Sequence, residues 1–489
     1  MNIKAVLKYL CLLCVGSCCL SAASADEKMA EKLKDSLVYV KISAYPYDQY
    51  RPWKQADVRE KSTYGCAVGR YQVLTIAYNI SDATFISIRL DSQNEYIPAT
   101  VEVLDYESNL CLLKLDPNEL ARPLVPIKFS ENYKKGAEVE SYWFSYKGHV
   151  YTGRGVIDRA EVLKSSPSYA RFLNYIISNT SQRTGSGQVY FRGNKAIGIA
   201  CWSNEEQEAG LIGAEVINHF LADAAKGRYE GFPILGFSAQ WLIDPTRRRY
   251  LKMPESMQNG IFVGDVYNLG TGSEELQRGD VILGIDGVSI DAHSRFKHPK
   301  FGLISFQHLI TRGKVGETIK FEVWRDGRKQ QLEVKARSFK ASEMLVPYYE
   351  HDKQPQYMVI GGFILQKLTR DYLSARGEDW TGKSDPHLYH YYRDLAYKPT
   401  NERKDIVILS YVLPAEINLG YQRLGSIVVS RFNGRDITSI KDLVEARQLN
   451  SDSKYHVIEF ENDNPVVVIS REGLDFIDAQ IAQRYGIQN

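Results

Sequence analysis

Histidine is scarce in this chain and missing from its first 148 residues: the first of nine among 489 residues is His149. No imidazole general base can therefore come from the N-terminal stretch. A phenol, with a pKa of about 10, takes a hydroxyl proton poorly at neutral pH. Cysteine is nearly confined to the start. Of seven, all but Cys66, Cys111 and Cys201 fall within residues 1–25. Each of the three sits in a strand-like apolar run and reads as a small buried hydrophobe. One disulfide stays open, and its pairing is not written in the sequence. No CxxC and no His/Cys cluster with ligand spacing occurs beyond residue 25, so neither a metal nor another cofactor is expected. Long apolar runs are also lacking after the N-terminus; none approaches the ~18 residues of a membrane helix. Nor is there an excess of one charge. With 61 basic against 59 acidic residues, nucleic acid is not an expected partner.

What is present begins with an export pattern. Lys4 and Lys8 precede the apolar run YLCLLCVGSCCL, and Ala23-Ser24-Ala25 offers a small-residue cleavage site, the layout of a secretory signal over residues 1–25. Cleavage there removes two lysines and no acid, leaving 59 basic against 59 acidic residues. Val15-Gly16-Ser17-Cys18 offers an alternative, a lipid anchor on Cys18. A periplasmic or cell-envelope location follows from either, with membrane contact only through that anchor.

Residues 36 to about 212 form a series of short alternating apolar runs separated by turn residues, the pattern of an all-β barrel or sandwich. Residues 213–227 switch to helical periodicity, with Ile217, Phe220, Leu221 and Ala224 on one face and Gly227 as a stop. A weak internal repeat follows. GDVILGIDGVSI (279–290) and GSIVVSRFNGRDI (425–437) each run from a glycine through a strand into an Asp-Gly or Asn-Gly hairpin. Each is followed by a helix-like segment, FQHLITR and SIKDLVEARQL. A further strand pair turns at Asp326-Gly327. This is the plan of a PDZ domain. Residues 341–356 read as a linker. The insert 376–405 enlarges the second copy; its His387 and His390 lack a third ligand and read as surface residues. RRRY (247–250) reads as a solvated turn. His219 falls in the helical segment and reads as a packing residue.

GFPILGF, ILGIDGVSI, YMVIGGFILQKLT and EINLGY, taken in that order after AIGIACWS, make the chain resemble the HtrA/Deg family, most closely its plant-type branch. The resemblance implies a mainly β protein: a trypsin-like double β-barrel followed by two PDZ-like α+β domains. The implied boundaries are 30–227 for the protease fold, 231–340 for the first PDZ domain and 355–489 for a second, PDZ-like domain with an insertion.

The same resemblance locates three positions. Serine acyl transfer needs a base to take the hydroxyl proton and a carboxylate to hold that base. Where the family carries its histidine this chain has Tyr78, in TIAYN. The family's D-x-A-x-L-K acid is Asn109, in SNLCLLKL. The G-N-S-G-G-P nucleophile segment aligns with RTGSGQVY, placing Thr184 at its first glycine and Ser186 at the serine. A β-branched Thr184 resists the backbone freedom that glycine gives an oxyanion hole. Loss of the base alone costs roughly 10⁶ in turnover in a well-studied serine protease. No catalytic residue is expected to be active, and Tyr78 is expected to pack into the space of the lost imidazole.

What remains is binding. A PDZ domain takes an extended peptide as an added strand and often holds a C-terminal carboxylate. The expected edge is Gly260, Ile261, Phe262 and Val263, with His308 on the groove helix facing ligand or solvent. The chain then reads as an exported pseudoprotease that binds polypeptides or protein C-termini as a chaperone, adaptor or regulator. The family's trimer-based homo-oligomers imply assembly. Two alternatives stand beside this: a serine endopeptidase using Ser186 in a rearranged site, and a structural oligomer subunit.

Overall fold

The computed structural model describes residues 27–54, 57–91, 93–165, 168–179, 184–462 and 464–487. The export segment 1–25, Cys18 and Arg183 lie outside them. No helix among the described residues is long and apolar enough to cross a membrane. Two compact units emerge. The first takes in the described part of Met1–Ala44, then Glu60–Gly231 and Lys297–His308; the second holds Tyr45–Arg59, Phe232–Phe296 and Leu309–Asn489.

The first unit contains two closed six-stranded barrels. Barrel one is built from β1 (Leu37–Ala44), β2 (Arg59–Gly69), β3 (Gln72–Ile76), β4 (Ala83–Leu90), β5 (Gln93–Asp105) and β6 (Leu110–Leu115). Its order is β1-β2-β3-β6-β5-β4. Alternation in LVYVKISA sends Val38, Val40, Ile42 and Ala44 inward, onto Val73, Ile88, Leu113 and Cys111. Period-two burial of this kind fixes the register, since a one-residue slip would turn every apolar side chain outward. Barrel two is built from β7 (Glu138–Phe144), β8 (Val150–Lys164), β9 (Arg171–Asn179), β10 (Val189–Arg192), β11 (Lys195–Ser203) and β12 (Glu208–Gly213). Its order is β10-β11-β12-β9-β8-β7. Tyr142, Tyr175 and Tyr190 are fully buried within it. The helix Ala214–Ala224 follows and buries Ile217 and Phe220. Cys66, Cys111 and Cys201 are free thiols.

The second unit carries two sheets. The first joins β13 (Phe237–Gln240), β14 (Ile261–Val266), β15 (Val281–Ile285), β16 (Val288–Ser289), β19 (Thr318–Arg325) and β20 (Arg328–Lys335). Its order is β13-β14-β15-β19-β20, with β16 hairpinned onto β15. Between β16 and β19 run β17 (Arg295–His298) and β18 (Gly302–Ser305), which pair with each other. The second sheet joins β21 (Tyr357–Ile360), β22 (Phe363–Lys367), β23 (Val407–Val412), β24 (Ile427–Phe432), β25 (Arg435–Asp436), β26 (Tyr455–Phe460) and β27 (Val467–Ser470). Its order is β21-β22-β23-β24-β26-β27, with β25 on β24. Without β21 the two sheets have one topology, which is the repeat seen in the sequence.

The linker stretch 341–356 buries Ala341, Met344, Leu345 and Val346. The RRRY run, read as a solvated turn, belongs to a short helix and is not wholly solvated. Arg248 turns inward and donates to the carbonyls of Met257 (2.9 Å), Gln258 (2.8 Å) and Asn259 (3.3 Å). Three orphan acceptors of a loop outweigh hydration of one guanidinium.

Candidate functional site

Strand β3 ends at Ile76, and the chain makes one helical turn over Ala77–Ile80. That turn is fastened to the start of β6 by Asn109. The Ala77 amide donates to the Asn109 carbonyl at 3.1 Å, and the Tyr78 amide donates to Asn109 Oδ1 at 2.9 Å. Asn109 is 2% exposed and holds a left-handed backbone, φ 59°. Asparagine tolerates that region better than most L-residues. The Tyr78 side chain, by contrast, is 48% exposed. It does not fill the space of an imidazole; the helical turn points it outward.

Ser186 reaches the same place through a relay. Asn79 Nδ2 donates to Thr63 Oγ1 (2.9 Å), and Thr63 Oγ1 donates to the Ser186 carbonyl (2.9 Å), which also accepts from the Tyr64 amide (3.0 Å). Hydrogen bonds thus link the segments that carry positions 78, 109 and 186, with the side chains of Asn109, Asn79 and Thr63 as the connectors. No imidazole stands at position 78. Asp105, the nearest aspartate in sequence before Asn109, is committed. It is buried and accepts from Ser108 Oγ (2.7 Å), the Tyr229 hydroxyl (2.5 Å) and the Glu107 amide (2.9 Å). Burial raises its pKa against those bonds. Among the unit's histidines, His219 approaches the Gly231 carbonyl at 3.2 Å, and burial holds its pKa below the ordinary imidazole value.

The loop around Ser186 is tightly fitted. Gly187 has φ 87°, and a Cβ there would lie 1.9 Å from the Tyr64 carbonyl oxygen. A Cβ on Gly185 would lie 2.5 Å from the Tyr64 ring. The Gly187 amide is spent on the Ala200 carbonyl (2.7 Å). Thr184 is anchored by its hydroxyl, 2.7 Å from the Tyr190 hydroxyl and 2.9 Å from Asn179 Nδ2. Sequence reasoning missed Tyr64. It starts an aromatic series: Tyr64 with Tyr39 (6.2 Å between ring centroids) and Trp143 (6.3 Å), Trp143 stacked on Tyr151 (5.8 Å). Burial, reinforced by Tyr39 and Tyr146, lifts the Tyr64 phenol pKa, so it is no substitute base. The only signal for it was the abundance of tyrosine, 32 residues.

The expected peptide edge is displaced. Gly260 precedes β14, and Ile261, Phe262 and Val263 lie within it. β14 is an interior strand, paired with β13 through Ala239↔Val263 and with β15 through Ile261↔Ile282. Its backbone groups are taken on both sides, so it cannot accept another strand. The terminal strands of that sheet are β13, next to β14, and β20 at the far end. His308 also departs from expectation: it is 6% exposed, with its ring 5.7 Å from His298 and 6.3 Å from Phe301. In the second sheet the strand equivalent to β13 is β22, and its outer edge is already covered by β21, Val359↔Ile364. Among the described residues no group of three or more His, Cys, Asp or Glu side chains could hold a metal ion. His387 pairs with Glu461 (3.1 Å) and His390 with Asp394 (2.7 Å).

Residues 346–489 match a family model described as PDZ domain. The chain is 27% identical to "Protease Do-like 2, chloroplastic" of Arabidopsis thaliana, over 90% of this chain and 72% of that protein. It is 24% identical to "Putative protease Do-like 12, mitochondrial" of the same plant, over 94% of this chain and 87% of that protein. The chain is similar to HtrA/Deg serine proteases with a PDZ domain. Among solved structures, "HtrA-type protease AlgW with tripeptide" aligns with 63% of this HtrA/Deg-like chain and 95% of its own, at 17% identity and a TM-score of 0.47. In this chain positions 78 and 109 carry Tyr and Asn.

Proposed function

We propose that this chain is an exported, proteolytically silent HtrA/Deg-like protein that captures extended polypeptide segments, protein C-termini among them, as a chaperone, adaptor or regulator. The observation that carries the reading is the Tyr78–Asn109 pair. The position that should accept a proton bears an outward phenol, and the position that should orient it is an amide spent on holding a backbone N–H. Without base and acid, Ser186 keeps its hydroxyl proton, and acyl transfer loses its first step. Capture is supported by β13, an end strand of its sheet that neighbours β14, since the edge of a sheet can accept an added strand.

The mature chain, incubated with unfolded casein from mildly acidic to mildly alkaline pH, is expected to release no more peptide than its Ser186→Ala variant. A fluorophosphonate probe is expected to leave Ser186 unlabelled. Casein cleavage that disappears in Ser186→Ala would overturn the reading and favour a rearranged endopeptidase.

A further inference from the structure

Directly after β13 the chain exposes large side chains in close succession. Trp241 is 61% exposed, Ile243 56% and Tyr250 85%. Single exposed apolar residues are ordinary, but a cluster beside an open strand edge marks an interaction surface. The cluster is also basic. Asp244 caps the short helix Pro245–Tyr250 by accepting from the Thr246 amide (2.8 Å). With Arg248 turned inward on its three carbonyls, Arg249 is left exposed and Arg247 half-buried. Arg247 is tied to the end of β13 itself: its guanidinium lies 4.6 Å over the Phe262 ring, and its Nη1 donates to Gln240 Oε1 at 3.2 Å. Gln240 is the last residue of β13 and pairs with Phe262. Asp244 is the only acid between Trp241 and Tyr250, against three arginines.

We propose that this patch reads the part of a bound polypeptide that continues past Gln240, and that it selects an acidic segment containing an aromatic residue. A strand added along β13 advances about 3.3 Å per residue, so its first residues beyond Gln240 meet Trp241 and Arg247 in either chain direction. Aromatic faces take the partner's ring, and the exposed Arg249 guanidinium, with half-buried Arg247 beside it, takes its carboxylates. Strand pairing then supplies generic affinity, and the patch supplies the choice of client. This inference rests on the strand-addition reading above.

The test uses the full mature chain and fluorescein-labelled peptides. The core peptide is Val-Thr-Val-Thr-Val. Extended versions add Asp-Glu-Trp-Asp, or as control Lys-Lys-Gly-Lys, at either end. The acidic-aromatic extension is expected to tighten binding by about tenfold. Trp241→Ala with Arg249→Glu should abolish that gain while leaving core-peptide binding unchanged. Both positions are exposed, so the variant keeps the fold. Equal binding of acidic and basic extensions, or a gain that survives in the variant, would overturn the proposal and leave strand addition intact. Failure of every peptide to bind would overturn both. Anionic phosphatidylglycerol vesicles provide the last arm: vesicle binding lost in the variant, without peptide discrimination, would reassign the patch to a membrane surface and overturn the proposal.

Discussion

Asn109 gives the sharpest test of the degenerate site, because its role is structural and its cost can be worked out. Replacing it with alanine removes Oδ1 and leaves the Tyr78 amide without its acceptor, 2.9 Å away in the native chain. A backbone donor that loses its acceptor costs about 1–3 kcal/mol. Alanine must also hold φ 59°, which adds about 1–2 kcal/mol for a residue with a Cβ. The expected total is about 2–4 kcal/mol of barrel stability, by summing the lower and middle parts of those ranges. Asn109→Gly carries the first loss and escapes the second. Asn109→Asp keeps an oxygen acceptor and should lie near wild type. The order of stability is therefore Asn and Asp, then Gly, then Ala. Urea unfolding of the mature chain measures it, and hydrogen exchange at the Tyr78 amide reports locally: protection should survive in Asp and vanish in Gly and Ala. Stabilities of Gly and Ala within about 0.5 kcal/mol of each other, or an amide still protected in Ala, would refute the reasoning. Asn109→Asp should create no casein cleavage, since a carboxylate without an imidazole orients nothing.

Gly187→Ala should prevent accumulation of soluble mature chain, because its Cβ would sit 1.9 Å from the Tyr64 carbonyl oxygen; expression yield checks this, with the exposed Gly434→Ala, which meets no atom within 4 Å, as the comparison for left-handed strain alone. Glu215 has its pKa pushed up to about 7 by burial and then by Glu131, against the opposing pull of Lys300 at 4.0 Å. The folded chain keeps this proton from the ordinary carboxyl range up to about that pH, whereas the unfolded chain releases it, so stability falls as pH rises through the window. Glu215→Gln should flatten that slope, by about 1–2 kcal/mol after screening of a partly exposed group, in urea titrations at the two ends of the window. Arg248→Ala should cost about 2–3 kcal/mol, since it strips charged donors from three carbonyls, and should lower the first sheet's thermal midpoint.

Much of the fold was legible because it is encoded locally. Alternation in β1 marked a barrel strand, and Asp286-Gly287, Asp326-Gly327 and Asn433-Gly434 all turn with paired positive φ values, as their dipeptides require. Three site positions were legible, and hydrogen bonds tie their segments together: Asn109 to the Tyr78 amide, and Asn79 through Thr63 to the Ser186 carbonyl. What escaped reading depends on strand order, which no local pattern carries. β13 has only four residues, so its place at the sheet's end was invisible beside the stronger apolar run of β14. The burial of His308 depends on the rings of His298 and Phe301, neither marked as a neighbour by its sequence context. Arg248 looked like its flanking arginines; only three carbonyls ten residues away distinguish it.

The hairpin at Gly361-Gly362 has a further consequence. Because β21 is joined covalently to the strand it covers, it competes for that edge at an effective concentration on the order of millimolar. A soluble peptide at micromolar levels would be outnumbered roughly a thousandfold before any difference in sequence counted. The outer edge of β22 is therefore closed to ordinary guests, so the two sheets, alike in topology, do not offer the same strand to an extended segment.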